Sequence, residues 1–382
     1  MSGEIEGASH LMNTYKKSIC LVKGDGSRVW DSSGKRYLDL IGGIATCSIG
    51  HNNPKLVEAL AKQAARIINP SNLFHSVEQP MLAGKLCRLS GMDKCFFSNS
   101  GTEAVEAAIK LSRKCTGKTN IVAMKGSFHG RTIGSLSATW NPGYKKTFEP
   151  LVPGFAHAEY GDAESLRNLV DGSKAAVIVE PIQGEAGVIV PPSGYLKEVR
   201  AICTENDALL IADEVQTGNG RTGKFLCCMH EEVKPDIVTM AKGLANGVPI
   251  GATLSCGGLD FEPGDHGSTF GGNSLSCAAA HTTLGVIEEQ LPWIGAKGQR
   301  FMDGLRNLDS PQIKEVRGKG LMVAIGVEKD AKALVQKCAE VGLLANAPNE
   351  KTVRFLPALT ISMEELDEGV ELFGRALKEA LK

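Results

Sequence analysis

Asp236-Ile-Val-Thr-Met-Ala-Lys242-Gly-Leu-Ala-Asn-Gly247, taken with Leu209-Leu-Ile-Ala-Asp213-Glu-Val-Gln216 upstream, decides the fold. Each is a short apolar run, rich in β-branched residues, that stops at one charged side chain. Such residues crowd well on a pleated surface, and continuous apolar runs bounded by turn residues read as strands buried on both faces. In an open α/β sheet, ligands bind at the carboxyl ends of such strands. A lysine at one strand end and an aspartate at another is the minimum kit for holding pyridoxal phosphate. The amine forms a Schiff base with the aldehyde, and the carboxylate pairs with the pyridinium nitrogen. Alone, Lys242 reads as a loop lysine and Asp213 as a helix cap; together, and with the motifs below, they point to the cofactor.

Outward from this pair, helical and strand patterns alternate from about residue 55 to 280, the mark of a mainly parallel sheet covered by helices. Phe96-Phe97, 121–124, 176–179, 209–212 and 237–240 are the strand candidates. Residues 21–40 read as a meander, with turns at Gly24-Asp25-Gly26 and at Ser33-Gly34. After 285 the pattern predicts a long helix, strands near 321–326 and 353–356, and a helix from 363 to the end. The expected organisation is a segment 1–48 belonging to a small domain, a large domain over 49–282, and the rest of the small domain over 283–382. No Pro/Ser-rich linker separates the pieces.

The 382 residues carry a formal net charge of −1, with 42% hydrophobic and 22% charged residues, an ordinary globular balance. No basic stripe appears, which argues against nucleic acid as a partner. No apolar run approaches the roughly 18 residues of a membrane span. The opening Met1-Ser-Gly-Glu-Ile-Glu-Gly7 lacks the charge and apolar core of a secretory signal. Eleven cysteines are scattered without C-x-x-C spacing. That is neither a disulfide scaffold nor a metal site, so most are expected to be buried thiols in a reducing compartment, the cytoplasm.

Several glycine-rich segments carry the candidate chemistry. Ser98-Asn-Ser100-Gly101-Thr102-Glu103 fits a capping box opening a helix from Ala104 to Cys115. Gly101 allows close approach, and the helix N-terminus suits a phosphate. Gly126-Ser-Phe128-His129-Gly130-Arg131-Thr132 offers an aromatic to stack on a planar group and an arginine to fork a carboxylate. Glu180-Pro-Ile-Gln-Gly184-Glu185-Ala-Gly187 sets carboxylates among glycines at a strand end. Gly267-Ser268-Thr269-Phe-Gly-Gly-Asn273 reads on its own as a turn. Gly218-Asn-Gly220-Arg-Thr-Gly223 matches a dinucleotide fingerprint, but the glycines do not follow the strand directly and no convincing helix opens after them. It reads as a flexible turn, and NAD is not expected.

Together these blocks resemble the class III aminotransferases, pyridoxal phosphate enzymes of fold type I. The resemblance covers nearly the whole chain and includes Gly50-His51-x-x-Pro54, Asn99-Ser-Gly-x-Glu-Ala, Phe128-His-Gly-Arg131, Glu180-Pro-x-Gln-Gly-Glu185, Asp213-Glu-Val-Gln216-x-Gly, Lys242-Gly and Ser268-Thr-Phe-Gly-Gly-Asn273. It implies an α/β fold with a mainly parallel seven-stranded sheet in the large domain, and a small α/β domain built from both termini. It implies that Lys242 bonds covalently to pyridoxal 5′-phosphate and that Asp213 pairs with its ring nitrogen. Gln216 would lie by the 3-hydroxyl, Phe128 would stack on the ring, and Ser100, Gly101 and Thr102 would hold the phosphate. Thr269 would reach the phosphate of a neighbouring subunit, giving a homodimer with shared sites. Arg131 would hold the substrate α-carboxylate with Ser268 nearby, while Glu185 and Arg354 would form the pair that handles ω-amine donors and glutamate. No metal is implied.

Length and the Val22-Lys-Gly-x-Gly26 opening are most similar to the acetylornithine-using members, which implies δ-amino transfer from N2-acetyl-L-ornithine to 2-oxoglutarate in arginine biosynthesis. Ala186 and Ala358 depart from the common pattern and bear on substrate detail. Ornithine, 4-aminobutyrate and carrier-linked lysine aminotransferases share most of the motifs. A non-catalytic cofactor-binding regulator would be expected to lack the lysine or to carry an added module.

Overall fold

A computed structural model describes residues 7–15, 17–328 and 330–380. Residues 1–6, which carry most of the segment read against a secretory signal, and the last two residues of the expected C-terminal helix lie outside the described residues. Among the described residues, no helix is long and apolar enough to cross a membrane.

The N-terminal meander forms as β1 (Leu21–Asp25), β2 (Arg28–Asp31) and β3 (Arg36–Asp39). The central sheet follows, with β4 (Lys94–Ser98), β5 (Asn120–Met124), β6 (Phe155–Ala158), β7 (Lys174–Val179), β8 (Leu209–Asp213), β9 (Ile237–Met240) and β10 (Gly251–Ser255). Its seven strands run in the order β4-β10-β9-β8-β7-β5-β6. Strand β10 is antiparallel to both neighbours, and the ladders from β9 to β6 are parallel. The carboxyl ends of β4, β5, β7, β8 and β9 therefore open on one edge of the sheet.

Both faces of this sheet are buried, and the side chains divide by alternation. Ile121, Ala123, Ala176, Ile178, Ile211 and Ile237 pack to one side with Val105, Ala108 and Ile109 of the helix Gly101–Thr116. Val122, Met124, Val177, Val179, Leu210 and Val238 face the larger core on the other side. This is why the strands read as unbroken apolar runs. Each fully buried Val or Ile contributes roughly 1.5–3 kcal/mol relative to exposure, so a charge at Ile178 or Ile211 would break the layer that holds the strand ends in place.

Strands β6 and β10 escaped the sequence reading. Phe155-Ala-His-Ala forms the sheet edge and is only partly buried, while Gly251-Ala-Thr-Leu-Ser has little β-branching and gains its place from ladders on both sides.

The C-terminal part contains β11 (Ile313–Lys319), β12 (Met322–Val327), β13 (Leu343–Leu344), β14 (Asn346–Asn349) and β15 (Thr352–Phe355). Strands β11, β12, β15 and β14 form one antiparallel sheet, while β13 joins the meander in parallel beside β3, pairing Leu343 with Leu38. Distant ends of the chain thus share one sheet. The long helix begins earlier than expected, at Ser274, because the Asn273 side chain caps it by accepting from the Ser276 N–H at 2.9 Å. It continues to Arg306, across the boundary expected between 282 and 283.

Two other expectations change. The Gly218–Gly223 stretch is a turn, but a largely buried and pinned one: the Arg221 guanidinium donates to the Leu321 and Pro357 carbonyls. Five of the cysteines are buried, five are half-buried and Cys115 is exposed. Cys95 and its neighbour Cys87 sit at the β4 edge of the sheet, where cover is incomplete.

Candidate active site

The strand ends surround a cavity of about 360 Å³. Asp213 is the last residue of β8 and is 3% exposed. Its Oδ1 accepts from the Thr239 hydroxyl at 3.0 Å, which the pairing of Asp213 with Thr239 across β8 and β9 makes possible, and from the Val215 N–H at 3.1 Å. Its Oδ2 lies 2.7 Å from Nδ1 of His129, whose Nε2 is buried with no partner among the described residues. A carboxylate so buried and so fully bonded keeps its place and is ready to pair with a cationic ring nitrogen.

Lys242 follows β9 by two residues and adopts φ +47°, a left-handed conformation that costs roughly 1–2 kcal/mol for a residue with a Cβ. Strain of this kind persists where the surroundings dictate it. The side chain retains some exposed surface, yet its amine sits among buried atoms. Burial lowers the ammonium pKa, against Glu185, Asp213 and Glu180, which raise it. No described residue hydrogen-bonds the amine, which leaves a nucleophile free in the cavity.

The helix Gly101–Thr116 starts at the cavity wall. Ser100 caps it, its Oγ accepting from the Glu103 N–H at 3.3 Å. The Glu103 carboxylate reaches one residue further back than in a regular capping box, to the Asn99 N–H at 2.6 Å. The N–H groups of Gly101 and Thr102 have no acceptor within the helix. A Cβ on Gly101 would come within 2.8 Å of Val215 Cγ1, so only glycine fits. The Thr102 hydroxyl is tied to Thr132 at 2.9 Å and to Ser135 at 2.5 Å, leaving its N–H as the free group.

Phe128 forms another wall, edge-on to Tyr144, and the exposed Arg131 guanidinium lies 3.7 Å from the Tyr144 ring centroid. At the far side, Glu185 meets Arg354 of β15 at 2.8 Å. Arg354 is fully buried and also donates to Gln216 Oε1 at 3.0 Å, the Gly184 carbonyl at 2.9 Å and Asn346 at 3.0 Å, yet its Nη2 has no partner among the described residues. Burial raises the Glu185 pKa, but Arg354 outweighs it and holds the carboxyl below its usual range. Gln216 donates to Glu185 at 3.3 Å, and a Cβ on Gly184 would lie 2.3 Å from its Oε1.

Lys242, Asp213, Ser100, Gly101, Thr102 and Phe128 thus line one cavity, as do Gln216, Arg131 and Glu185, with Arg354 behind the last. Ser268 and Thr269 do not line it. Ser268 touches the rim through Asn99 Nδ2 at 3.3 Å, while Thr269 is exposed and its carbonyl accepts from Asn69 at 3.2 Å. The sequence reading gave no role to His129 or Glu180, although both stand inside quoted motifs. Their signal was a titratable residue beside a strand end. Tyr144 carried none.

These residues suit pyridoxal phosphate: free N–H groups at a helix start for the phosphate, a cradle too tight for a Cβ, an aromatic wall, a buried carboxylate and an unbonded amine. Among the described residues, no cluster of His, Cys, Asp and Glu could hold a metal ion.

Comparison with known proteins agrees. The aminotransferase class-III family profile matches residues 11–377. The acetylornithine aminotransferase of Methanopyrus kandleri is 47% identical over 375 residues, 96% of each chain. A Pyrococcus horikoshii chain, provisionally named a LysW-aminoadipate semialdehyde/glutamate semialdehyde transaminase, is 43% identical, over 94% of this chain and 95% of its own. The crystal structure of ornithine aminotransferase from Toxoplasma gondii ME49 superposes with a TM-score of 0.95 at 34% identity, covering 98% of this chain and 93% of that one. Acetylornithine aminotransferase from Elizabethkingia anophelis gives a TM-score of 0.89 at 36% identity over 97% of both chains. With lysine, aspartate and helix start converging on one sheet edge, the chain belongs to the class-III aminotransferases, fold type I enzymes that use pyridoxal 5′-phosphate.

Proposed function

We propose that the enzyme transfers the δ-amino group of N2-acetyl-L-ornithine to 2-oxoglutarate, giving N-acetyl-L-glutamate 5-semialdehyde and L-glutamate. The observation that carries this reading is the Glu185–Arg354 pair facing a cavity that also presents Arg131. A donor entering by its distal amine and glutamate entering by its α-amine place their carboxylates differently, and one fixed arginine cannot serve both. Paired with Glu185, Arg354 is masked and a longer donor fits. Unpaired, it can meet a glutamate carboxylate, and its Nη2, without a partner among the described residues, is a ready donor. The near full-length identity to acetylornithine aminotransferases supports the choice of donor.

Lys242 would hold the cofactor's aldehyde, Asp213 its ring nitrogen, Phe128 its ring face, Gln216 its 3-hydroxyl, and Ser100, Gly101 and Thr102 its phosphate. When bound, the cofactor supplies an electron sink for the charge that develops at the substrate carbon. Asp213 keeps a cation opposite it, and His129 and Thr239 fix its orientation. The Lys242 amine, biased by burial toward its neutral form, takes the proton from the substrate carbon and returns it as general base and acid. Arg131 orients the α-carboxylate, with Ser268 at the rim.

Thr269 would complete the phosphate site of a second copy. Phe270 beside it, and Leu73, Phe74, Val77 and Met81 on the segment that Asn69 and Asn72 tie to its loop, are exposed and support a homodimer that covers them. The free thiols suit a reducing compartment, and we place the enzyme in the cytoplasm.

The relatives named for ornithine and for LysW-linked substrates favour a second reading, another ω-aminotransferase on the same scaffold. A donor panel separates the two: acetylornithine, ornithine, 4-aminobutyrate and succinyl-linked analogues, each with 2-oxoglutarate. Acetylornithine should show the highest kcat/KM; a clear lead for another donor would reject the assignment of substrate.

A further inference from the structure

Glu180 follows the last residue of β7 and is 5% exposed, one of the most deeply set groups lining the cavity. The roles given above make no use of it. Its two carboxylate oxygens are divided between two separate loops. Oε1 accepts from the Phe128 N–H at 2.9 Å, and Oε2 accepts from the Gly184 N–H at 3.2 Å. Phe128 is the aromatic wall. Gly184 opens the loop that bears Glu185, and its carbonyl receives Arg354 at 2.9 Å. One side chain therefore spans the wall and the loop.

We infer that Glu180 is a positioning residue, clasping the Glu185 loop to the Phe128 wall and so setting how readily the cavity passes from one substrate to the other. The chemistry follows from the two bonds. An ionised carboxylate can accept at both oxygens, whereas a protonated one turns one oxygen into a hydroxyl and weakens one side of the clasp. Burial pushes the Glu180 carboxyl up to about 7; His129 opposes this, Asp213 adds to it, and the two N–H bonds oppose it. Other charged or titratable groups on the packed elements are Lys242, the Glu185–Arg354 pair, Arg131 over the Phe128 ring, Arg317, which donates to the Gly187 and Val188 carbonyls, and Tyr160, whose hydroxyl donates to the Glu180 backbone carbonyl at 3.1 Å. With the pKa raised, the clasp is complete above neutrality and is lost as pH falls through it.

The inference rests on the assignment of the Glu185 loop to substrate selection, so its test reads the loop directly. Hydrogen exchange would be followed on the holoenzyme in peptides covering 126–131 and 182–188, across neutral pH, with labelling times scaled for intrinsic exchange. In the wild type, protection of 182–188 should fall about 2- to 10-fold on acidification, the weight of one hydrogen bond. Glu180→Gln should be weakly protected at every pH, because its amide offers one acceptor oxygen where two are needed. Glu180→Asp should keep the pH response at lower protection, and it carries the test if the glutamine variant fails to fold. The ratio of kcat/KM for glutamate to that for the distal-amine donor should shift with pH in the wild type and stay flat in Glu180→Gln. A flat wild-type exchange profile, or a Glu180→Gln profile that keeps the wild-type response, would overturn the clasp. A clasp response together with a donor panel led by another amine would instead reject only the substrate assignment.

Discussion

The two ends of the cavity are built by different means. At the inner end, Asp213 is held by Thr239, Val215 and His129, partners that strand pairing and adjacent loops supply from the same chain. At the outer end, beyond the residues that line the cavity, Thr269 sits exposed on a glycine-rich loop, and Phe270 beside it is 62% exposed. Leu73 and Phe74 of the preceding surface segment are 86% and 71% exposed. The groups proposed for proton transfer are thus fixed inside a buried ladder, while Thr269 stands where, on the proposed reading, the site of a second copy would be completed. Rigid strand ends suit groups that must not move, and loops suit groups that must be completed or exchanged.

The sharpest way to break this contrast is at the inner end. Lys242→Ala should lower turnover by roughly 10⁴-fold or more, since on the proposed reading the removed amine is both the attachment point and the acid–base group. Cofactor absorbance after gel filtration would show whether the remaining contacts still hold the group. Wild-type-like turnover would sink the assignment of Lys242.

Asp213→Asn keeps the shape but loses the charge, and a buried charge-assisted bond carries up to about 3 kcal/mol, so a fall of roughly 100-fold is expected. An unchanged rate would reduce Asp213 to a structural cap and erase the distinction between the two ends.

Next in size is the pair that lies between them. Arg354→Ala should slow the glutamate and 2-oxoglutarate half-reaction by about 10-fold or more, and the acetylornithine half-reaction less. Glu185→Gln should instead favour glutamate over acetylornithine. Single-turnover changes in cofactor absorbance measure each half separately; equal slowing of both halves in both variants would leave only a general electrostatic role.

The smallest signal tests the outer end. Mixing a Lys242→Ala chain with a Thr269→Ala chain should restore about a quarter of wild-type activity by random pairing in a two-fold dimer, because one site in each mixed dimer carries neither lesion. Activity no higher than that of the separate mutant pools would confine the site to one chain.

The inner end was the more legible from sequence, for a physical reason. Strands buried on both faces must be continuously apolar, so a charge that ends one stands out, as Asp213 and Lys242 do. Strand β10 and the start of the long helix were harder to read. One owes its place to ladders on either side and the other to a single cap at Asn273, and neither leaves a strong local period. His129 and Glu180 lay in quoted motifs, but their work depends on contacts 84 and 52 residues away, to Asp213 and to Phe128. Spacing along the chain does not disclose such pairings.

Strand β10 returns antiparallel beside β9, pairing Ala252 with Met240 and Ser255 with Ile237. The segment bearing Lys242 is consequently closed at both ends on the same sheet edge, like the bow of a hairpin. The amine can pivot within this bow, but its backbone cannot leave while the two strands stay paired. A protease would gain the peptide bonds around Lys242 only after that ladder opened, so resistance to cleavage there would report the integrity of the sheet itself.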